Sequence, residues 1–211
     1  MDDITLNILV LVVFALIGGL IFYIVHRNQA RNEQEIIRLA AEKGWKVETI
    51  REPLAWGLRL SAPAWTLESI SRSSGRETGP GSSDVAMSTV WRADAPGPTL
   101  LIGPRTSQAN LGAMGDMLTR QILQAALGAD ADGLSEVQAG SDAFRQKYML
   151  WARSQAEIRL DPALESALLR WKDPLPLIYR TEQGVSIELR GVRLTKPADF
   201  LALVRLGELF L

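Results

Sequence analysis

The first feature of the hydropathy pattern is a long uncharged run near the start of the chain. No charged residue occurs from Ile4 to Val25, and nearly every position of these 22 residues is apolar. As an α-helix this run extends over about 33 Å, which exceeds the roughly 30 Å hydrocarbon layer of a membrane. Because hydrocarbon offers the backbone no hydrogen-bond partner, such a segment must be helical. The pattern predicts a transmembrane helix that contacts the lipid bilayer through Ile4–Val25.

The charges on either side of the run predict its orientation. Asp2 and Asp3 precede it, whereas Arg27, Arg31 and Arg38 follow it. Since basic residues stay on the cytoplasmic side, the N-terminus is expected outside a bacterial inner membrane and the C-terminal domain in the cytoplasm. A cleaved signal peptide is the alternative, but such peptides begin with basic residues and end in small ones. The predicted organisation is single-pass: an anchor segment over 1–27, a juxtamembrane helix over 28–43 and a soluble domain over 44–211.

The juxtamembrane segment has the composition of a helix that packs on the domain. Arg31 and Glu35 form an i, i+4 pair, Ile36 and Ala40 lie on one apolar side, and Gly44 provides a C-terminal stop. Gly18-Gly19 in the preceding run allow close approach of another helix. Whether they pack against one is left open by the sequence.

Alternation of apolar and polar residues predicts strands after Gly44. The chain alternates over residues 45–50, 57–61, 65–70 and 84–91, and a short apolar run follows at 99–102. A hairpin is predicted from residues 176–181 and 185–189, across Gln183-Gly184. The segment Phe144–Arg153 fits both helical and strand spacing, and a strand is favoured. The strands together predict an antiparallel sheet with one face in the core.

Three helices are predicted in the soluble part. Apolar residues recur at helical spacing over Asn110–Leu127, Asp161-Pro162 begin a helix that runs to about Trp171, and Pro197 begins the last one. The predicted fold class is α+β, with one N-terminal transmembrane helix followed by a soluble domain of an antiparallel sheet and three to four packed helices.

Two loops resemble ligand sites only superficially. Residues 71–83 are rich in Gly, Ser and Arg, but no Lys-Ser/Thr pair or helix start follows the glycines, as a phosphate-binding loop requires. In Ala129-Asp-Ala-Asp-Gly133 the spacing of a calcium loop would place Ala139 where a bidentate Glu is needed. Both are predicted to be exposed loops.

Composition excludes several classes of chemistry. The chain has 23 basic and 24 acidic residues, so its net charge of −1 provides no basic footprint for nucleic acid. It has no cysteine, which excludes disulfides, thiolate catalysis and cysteine metal sites. Its one histidine, His26, follows the apolar run, which leaves no histidine base in the soluble domain. No catalytic, cofactor-binding or metal-binding residue and no cofactor is assigned.

Two groups of residues carry the remaining candidate chemistry. Glu157, Asp161 and Glu165 lie close in sequence, and paired carboxylates can divide acid and base roles when their pKa values differ. The alternative is that acidic residues in a first helical turn offset the helix dipole. Trp56 and Trp65, near prolines, are candidates for an aromatic surface patch that contacts a partner or the bilayer surface, although most tryptophans are core residues.

The C-terminal third has a pattern seen elsewhere. The stretch FRQKYMLWAR (144–153), followed by DPALESALL (161–169) and the 177–189 hairpin, resembles the C-terminal half of uncharacterised bacterial membrane-anchored domains. The resemblance implies an α+β domain behind a membrane helix and carries over no functional residue.

The sequence thus predicts a membrane-anchored, non-enzymatic interaction module, for example an accessory subunit of a larger membrane protein complex. The expected partner is another membrane protein or complex. A tethered ligand-binding domain or carboxylate-based enzyme is the alternative, and it requires a concave pocket with converging polar side chains.

Overall fold

The computed structural model describes residues 3–73, 85–105, 128–153 and 158–211. In the first helix it describes the side chains of Phe14 and of residues 16–20, 22–24 and 26–43. The predicted helix Asn110–Leu127, most of the predicted loop 71–83 and the candidate carboxylate Glu157 lie outside the described residues.

The described residues form four α-helices, a short 3-10 helix and nine strands. The helices are α1 (Asp3–Lys43), α2 (Asp142–Lys147), α3 (Pro162–Arg170) and α4 (Pro197–Glu208), and the 3-10 helix covers Gly128–Ala131. The strands are β1 (Lys46–Glu52), β2 (Ala55–Ala62), β3 (Trp65–Ser73), β4 (Val85–Ala93), β5 (Leu100–Pro104), β6 (Ser135–Glu136), β7 (Tyr148–Ala152), β8 (Leu177–Thr181) and β9 (Gly184–Arg190).

All nine strands belong to one antiparallel sheet with the order β1-β2-β3-β4-β9-β8-β5-β7-β6. Strands β1 to β4 follow one another as a meander, and the β8–β9 hairpin then inserts between β4 and β5. One row of directly opposed apolar residues crosses eight strands on the same face: Val47, Leu60, Leu67, Trp91, Ile187, Ile178, Ile102 and Leu150. This row fixes the register, because a slip of one residue would turn each strand's apolar set to the other face.

The predicted fold class is wrong. The structure is mainly a large nine-stranded antiparallel sheet with a few helices, instead of the predicted α+β domain of an antiparallel sheet and three to four packed helices behind a transmembrane helix. The local strand predictions in both halves are confirmed. The error arises because alternation identifies strands but does not reveal that the last hairpin joins the two halves into one sheet.

The helices cover the apolar face of the sheet. Phe200, Leu203 and Val204 of α4 are fully buried in the same core cluster as Ile36 and Ala40 of α1. Three tryptophans pack in series within this core: the ring centroids of Trp45 and Trp65 lie 5.1 Å apart, and those of Trp65 and Trp91 lie 6.4 Å apart. A smaller apolar cluster of Leu101, Met149, Trp151 and Leu177 occupies the opposite face of β5, β7 and β8.

The predicted transmembrane helix is contradicted. Among the described residues, no helix is long and apolar enough to cross a membrane. The apolar run is the first part of the 41-residue helix α1, which continues without a break through Arg27, Arg31 and Arg38 to Lys43. The predicted span over Ile4–Val25, the single-pass topology and the inner-membrane localisation are corrected together by this finding.

Three local predictions have mixed outcomes. The helix over residues 28–43 is confirmed as the second half of α1, with Arg31 and Glu35 in contact at 3.2 Å and Gly44 at a φ of 70° after its end. Asp161 caps α3, and Pro162 is its first residue, as predicted. The predicted strand Phe144–Arg153 is wrong in its first part, since residues up to Lys147 form α2 and only Tyr148–Ala152 form β7. Capping by Ser141, whose hydroxyl accepts the Phe144 N–H, favours the helix.

Candidate functional site

A cleft of about 190 Å³ opens between the second half of α1 and the strands β1 to β3. The segment between β9 and α4 closes its third side. Six of its lining residues give it chemical character: Glu33, Arg51, Trp56, Ser69, Arg193 and Leu194. The cleft therefore combines an indole, two guanidinium groups and one carboxylate at the edge of the sheet.

The strand register brings the first cation and the indole together. Arg51 of β1 lies directly opposite Trp56 of β2, so both side chains leave the sheet on the same face. Trp56 is 39% exposed, which is unusual for a large aromatic side chain in a chain whose other sheet tryptophans are buried. The Arg51 side chain is 79% exposed, and its Nη2 lies 3.9 Å from Oε1 of Glu33. Such a long, exposed ion pair contributes little and leaves Arg51 available.

Two buried hydroxyls bond the segment between β9 and α4 to the sheet, and this segment forms one wall of the cleft. The Ser69 and Thr89 hydroxyl oxygens lie 2.9 Å apart on neighbouring strands. The Leu194 N–H donates to both of them, at 2.7 Å to Ser69 and 3.2 Å to Thr89. Thr89 Oγ1 donates to the Val192 carbonyl at 2.9 Å. The backbone on both sides of Arg193 is therefore bonded to the sheet.

Arg193 is the least compensated charge of the cleft. It is half-buried, and it has no ion pair or side-chain hydrogen bond within the described part of the chain. A half-buried arginine without a partner has charge-assisted hydrogen bonds left to form when an anion binds. With two guanidinium groups against one carboxylate, the charged lining is net positive by one.

The predicted carboxylate pair has structural roles. Asp161 caps α3 and accepts the Ala163 N–H at 2.6 Å. Glu165 accepts the backbone N–H of Ser141 at 2.9 Å, and hydrogen bonding by Ser141 lowers the pKa of this carboxyl. Each carboxylate is bonded to a different backbone N–H at a helix start, so the two do not form an acid–base pair.

The two tryptophans predicted to form a surface patch are separated by burial. Trp65 is 5% exposed and packs between Trp45 and Trp91 in the core, whereas Trp56 lines the cleft. Among the described residues, no group of three or more His, Asp or Glu side chains is arranged to hold a metal ion.

A second surface lies on the first half of α1. Seven large apolar side chains there are 48–73% exposed: Phe14, Leu16, Ile17, Leu20, Phe22, Tyr23 and Ile24. Gly18 and Gly19 lie among them, and a Cβ added at either would meet no atom within 4 Å. We call these seven residues the α1 apolar surface.

Sequence reasoning found the α1 apolar surface but missed the cleft. Arg51, Trp56 and Arg193 are separated in the chain by up to 142 positions, and none belongs to a motif. The hydroxyls of Ser69 and Thr89 fix the backbone beside Arg193. Their one sequence signal is that both residues occupy inward-facing positions of predicted strands.

Comparison of the chain with family models, curated proteins and solved structures gives no match. The resemblance of residues 144–189 to bacterial membrane-anchored domains therefore stays a prediction.

Proposed function

We propose that this chain is a non-enzymatic interaction module, an accessory subunit that joins a larger protein assembly through the α1 apolar surface. The single observation that carries the proposal is the exposure of seven large apolar side chains along one helix. Exposed apolar area of this extent is typical of an interaction site on a protein.

The arrangement of these side chains favours a partner that surrounds the helix. Successive residues of an α-helix are turned by about 100°, so positions 14, 16, 17, 20, 22, 23 and 24 point to all sides of α1. A helix that is apolar on every side is stable when it is covered on every side. A second copy of the same helix would cover one stripe only. A groove built from several elements of a different protein would cover the apolar side chains on all sides of α1.

The roles of the acidic residues support a non-enzymatic function. Asp161 and Glu165, the sequence-based candidates for acid–base chemistry, are bonded to backbone N–H groups. The cleft of about 190 Å³ is smaller than the roughly 300–1,000 Å³ of small-molecule sites.

The proposal is tested by photocrosslinking in the source cell. Benzoylphenylalanine at Leu20 or Phe22 of the full chain is expected to give one covalent adduct with a different protein, of a single defined mass. The same probe at Gln34, an exposed residue in the polar half of α1, serves as the matched control and is expected to give none.

Three outcomes contradict the proposal. An adduct of twice the chain mass would identify a second copy as the occupant, adducts with lipid alone would identify a non-protein surface, and no adduct would mean that α1 has no partner. A double variant, Leu16→Gln with Leu20→Gln, is expected to lose the adduct formed at Phe22. Unchanged near-UV circular dichroism of the core tryptophans would establish that the variant retains its fold.

A further inference from the structure

We propose that the cleft beside β1 binds an acidic peptide segment, which adds to the sheet as a further strand and places a carboxylate between Arg51 and Arg193. This inference concerns a surface separate from α1 residues 14–24 and does not depend on the proposed function.

The edge position of β1 provides the backbone part of the site. β1 stands at the end of the strand order and pairs with β2 alone among the described strands. Its seven residues are long enough to receive a short extended segment. Strand addition of this kind takes affinity from main-chain hydrogen bonds and specificity from pockets for alternate side chains.

Arg51 determines which segments are accepted at this edge. In an antiparallel pair, the residue opposite Arg51 would lie on the same face, with its Cβ about 4.5–5.5 Å from that of Arg51. A charged residue that points inward from an edge strand discourages pairing with an apolar strand. A Glu or Asp at the opposing position reverses that effect, because it forms a cross-strand ion pair.

Arg193 and Trp56 provide the rest of the pocket. The hydrogen bonds of Ser69 and Thr89 to Leu194 and Val192 fix the backbone that carries Arg193 before any ligand arrives. The backbone at Arg193 therefore loses little conformational entropy on binding. Trp56 lies on the β2 side of Arg51 and gives the cleft an apolar wall behind the guanidinium. A cleft of about 190 Å³ has the size of one or two side chains rather than of a complete metabolite.

The probe for the experiment is a fluorescein-labelled peptide of alternating glutamate and valine, titrated into the full chain and followed by fluorescence anisotropy. Saturable binding that weakens with added salt is expected. The matched peptide of alternating lysine and valine is expected not to bind. Free glutamate is expected not to compete, because it lacks the backbone of a strand.

Variants of the cleft are expected to move the affinity in both directions. Arg193→Gln is expected to weaken binding about tenfold, since it removes a charge-assisted hydrogen bond. Glu33→Gln is expected to strengthen binding about threefold, because it removes the competing carboxylate. Arg190→Gln, on the opposite face of the sheet in contact with Glu188, is the control and is expected to leave the affinity unchanged.

Backbone hydrogen exchange separates strand addition from simple charge attraction. The β1 amides that are not bonded to β2 are expected to exchange more slowly when the acidic peptide is bound. Equal affinity for both peptides, insensitivity to Arg193→Gln or unchanged exchange in β1 would each overturn the proposal. Complete competition by free glutamate would overturn the assignment to a peptide segment.

Discussion

Gly207 of α4 lies directly against the indole of Trp91 on β4. A Cβ built at Gly207 would overlap Cε2 of that ring, far inside van der Waals contact. Trp91 is completely buried and packs against Trp65, so its ring has no free space to move into. The absence of a side chain at Gly207 is therefore what allows the last helix to lie on the sheet.

Gly207→Ala is expected to destabilise the fold by about 2–3 kcal/mol, despite the better helix propensity of alanine, because overpacking a filled core forces backbone shifts. Urea denaturation followed by tryptophan fluorescence measures the effect. Glu208→Ala, the exposed neighbour on the same helix, is the control and is expected to change the stability by less than about 0.5 kcal/mol. Equal stability of the two variants would mean that α4 does not pack on Trp91 in this way.

Thr89→Val is expected to cost about 1–3 kcal/mol, because the isosteric change removes a buried hydroxyl that bonds to Val192 and Leu194. The clearest readout is amide hydrogen exchange at Leu194, which should become faster than in the unchanged chain. Thr66→Val on the exposed face of β3 is the matched control and should leave that amide protected. Protection of Leu194 that survives Thr89→Val would refute the anchoring role of the hydroxyl pair.

Lys147→Met is expected to destabilise the protein by about 1–3 kcal/mol, since hydrogen bonds to charged groups contribute more than neutral ones. The Lys147 ammonium donates to the carbonyls of Leu168, Leu169 and Trp171, at 3.3, 3.0 and 2.6 Å, and so closes the C-terminal end of α3. The measurement compares the thermal unfolding of Lys147→Met with that of Lys172→Met. Lys172 is an exposed lysine just after α3, so its variant is the control for loss of a lysine charge without loss of these hydrogen bonds. A larger loss from the Lys172 variant would contradict it.

Glu165 is expected to make part of the stability dependent on pH. Its bond to Ser141 lowers the pKa of the carboxyl below its usual value of 4.5. A lowered pKa in the folded state means that the contribution is complete above pH 4.5 and is lost as the pH falls through the folded pKa.

The measurement compares the free energy of unfolding of the unchanged chain and of Glu165→Gln between pH 7 and about pH 3. The chain with Glu165 is expected to be the more stable at pH 7, and the difference is expected to disappear at the acidic end. Glu208→Gln is the control, because the Glu208 carboxylate has no hydrogen bond or ion pair within the described residues. A difference that is constant with pH would show that the charge of Glu165 does not contribute.

The sequence by itself determined much of the local structure. Alternation located the strands of the β1–β4 meander and of the β8–β9 hairpin, and Asp161-Pro162 located the start of α3. These features depend on residues close together in the chain, where side-chain periodicity and capping act directly. The helix α2 was missed because Phe144 and Tyr148 lie at helical spacing whereas the residues from Tyr148 to Ala152 alternate. The N-cap of Ser141 decides for a helix before Tyr148.

Only the tertiary structure decided how these elements combine. The insertion of β8 and β9 beside β4 makes one sheet of nine strands, and it depends on pairings such as Trp91 with Ile187 between residues far apart in sequence. The short turn between β1 and β2 brings Arg51 opposite Trp56, whereas the placement of the segment after β9 beside the first strands brings Arg193 to the cleft. Periodicity records which face of an element is apolar, but it holds no information about which other apolar face will cover it. That choice follows from packing the whole core, and so the candidate site emerged only with the fold.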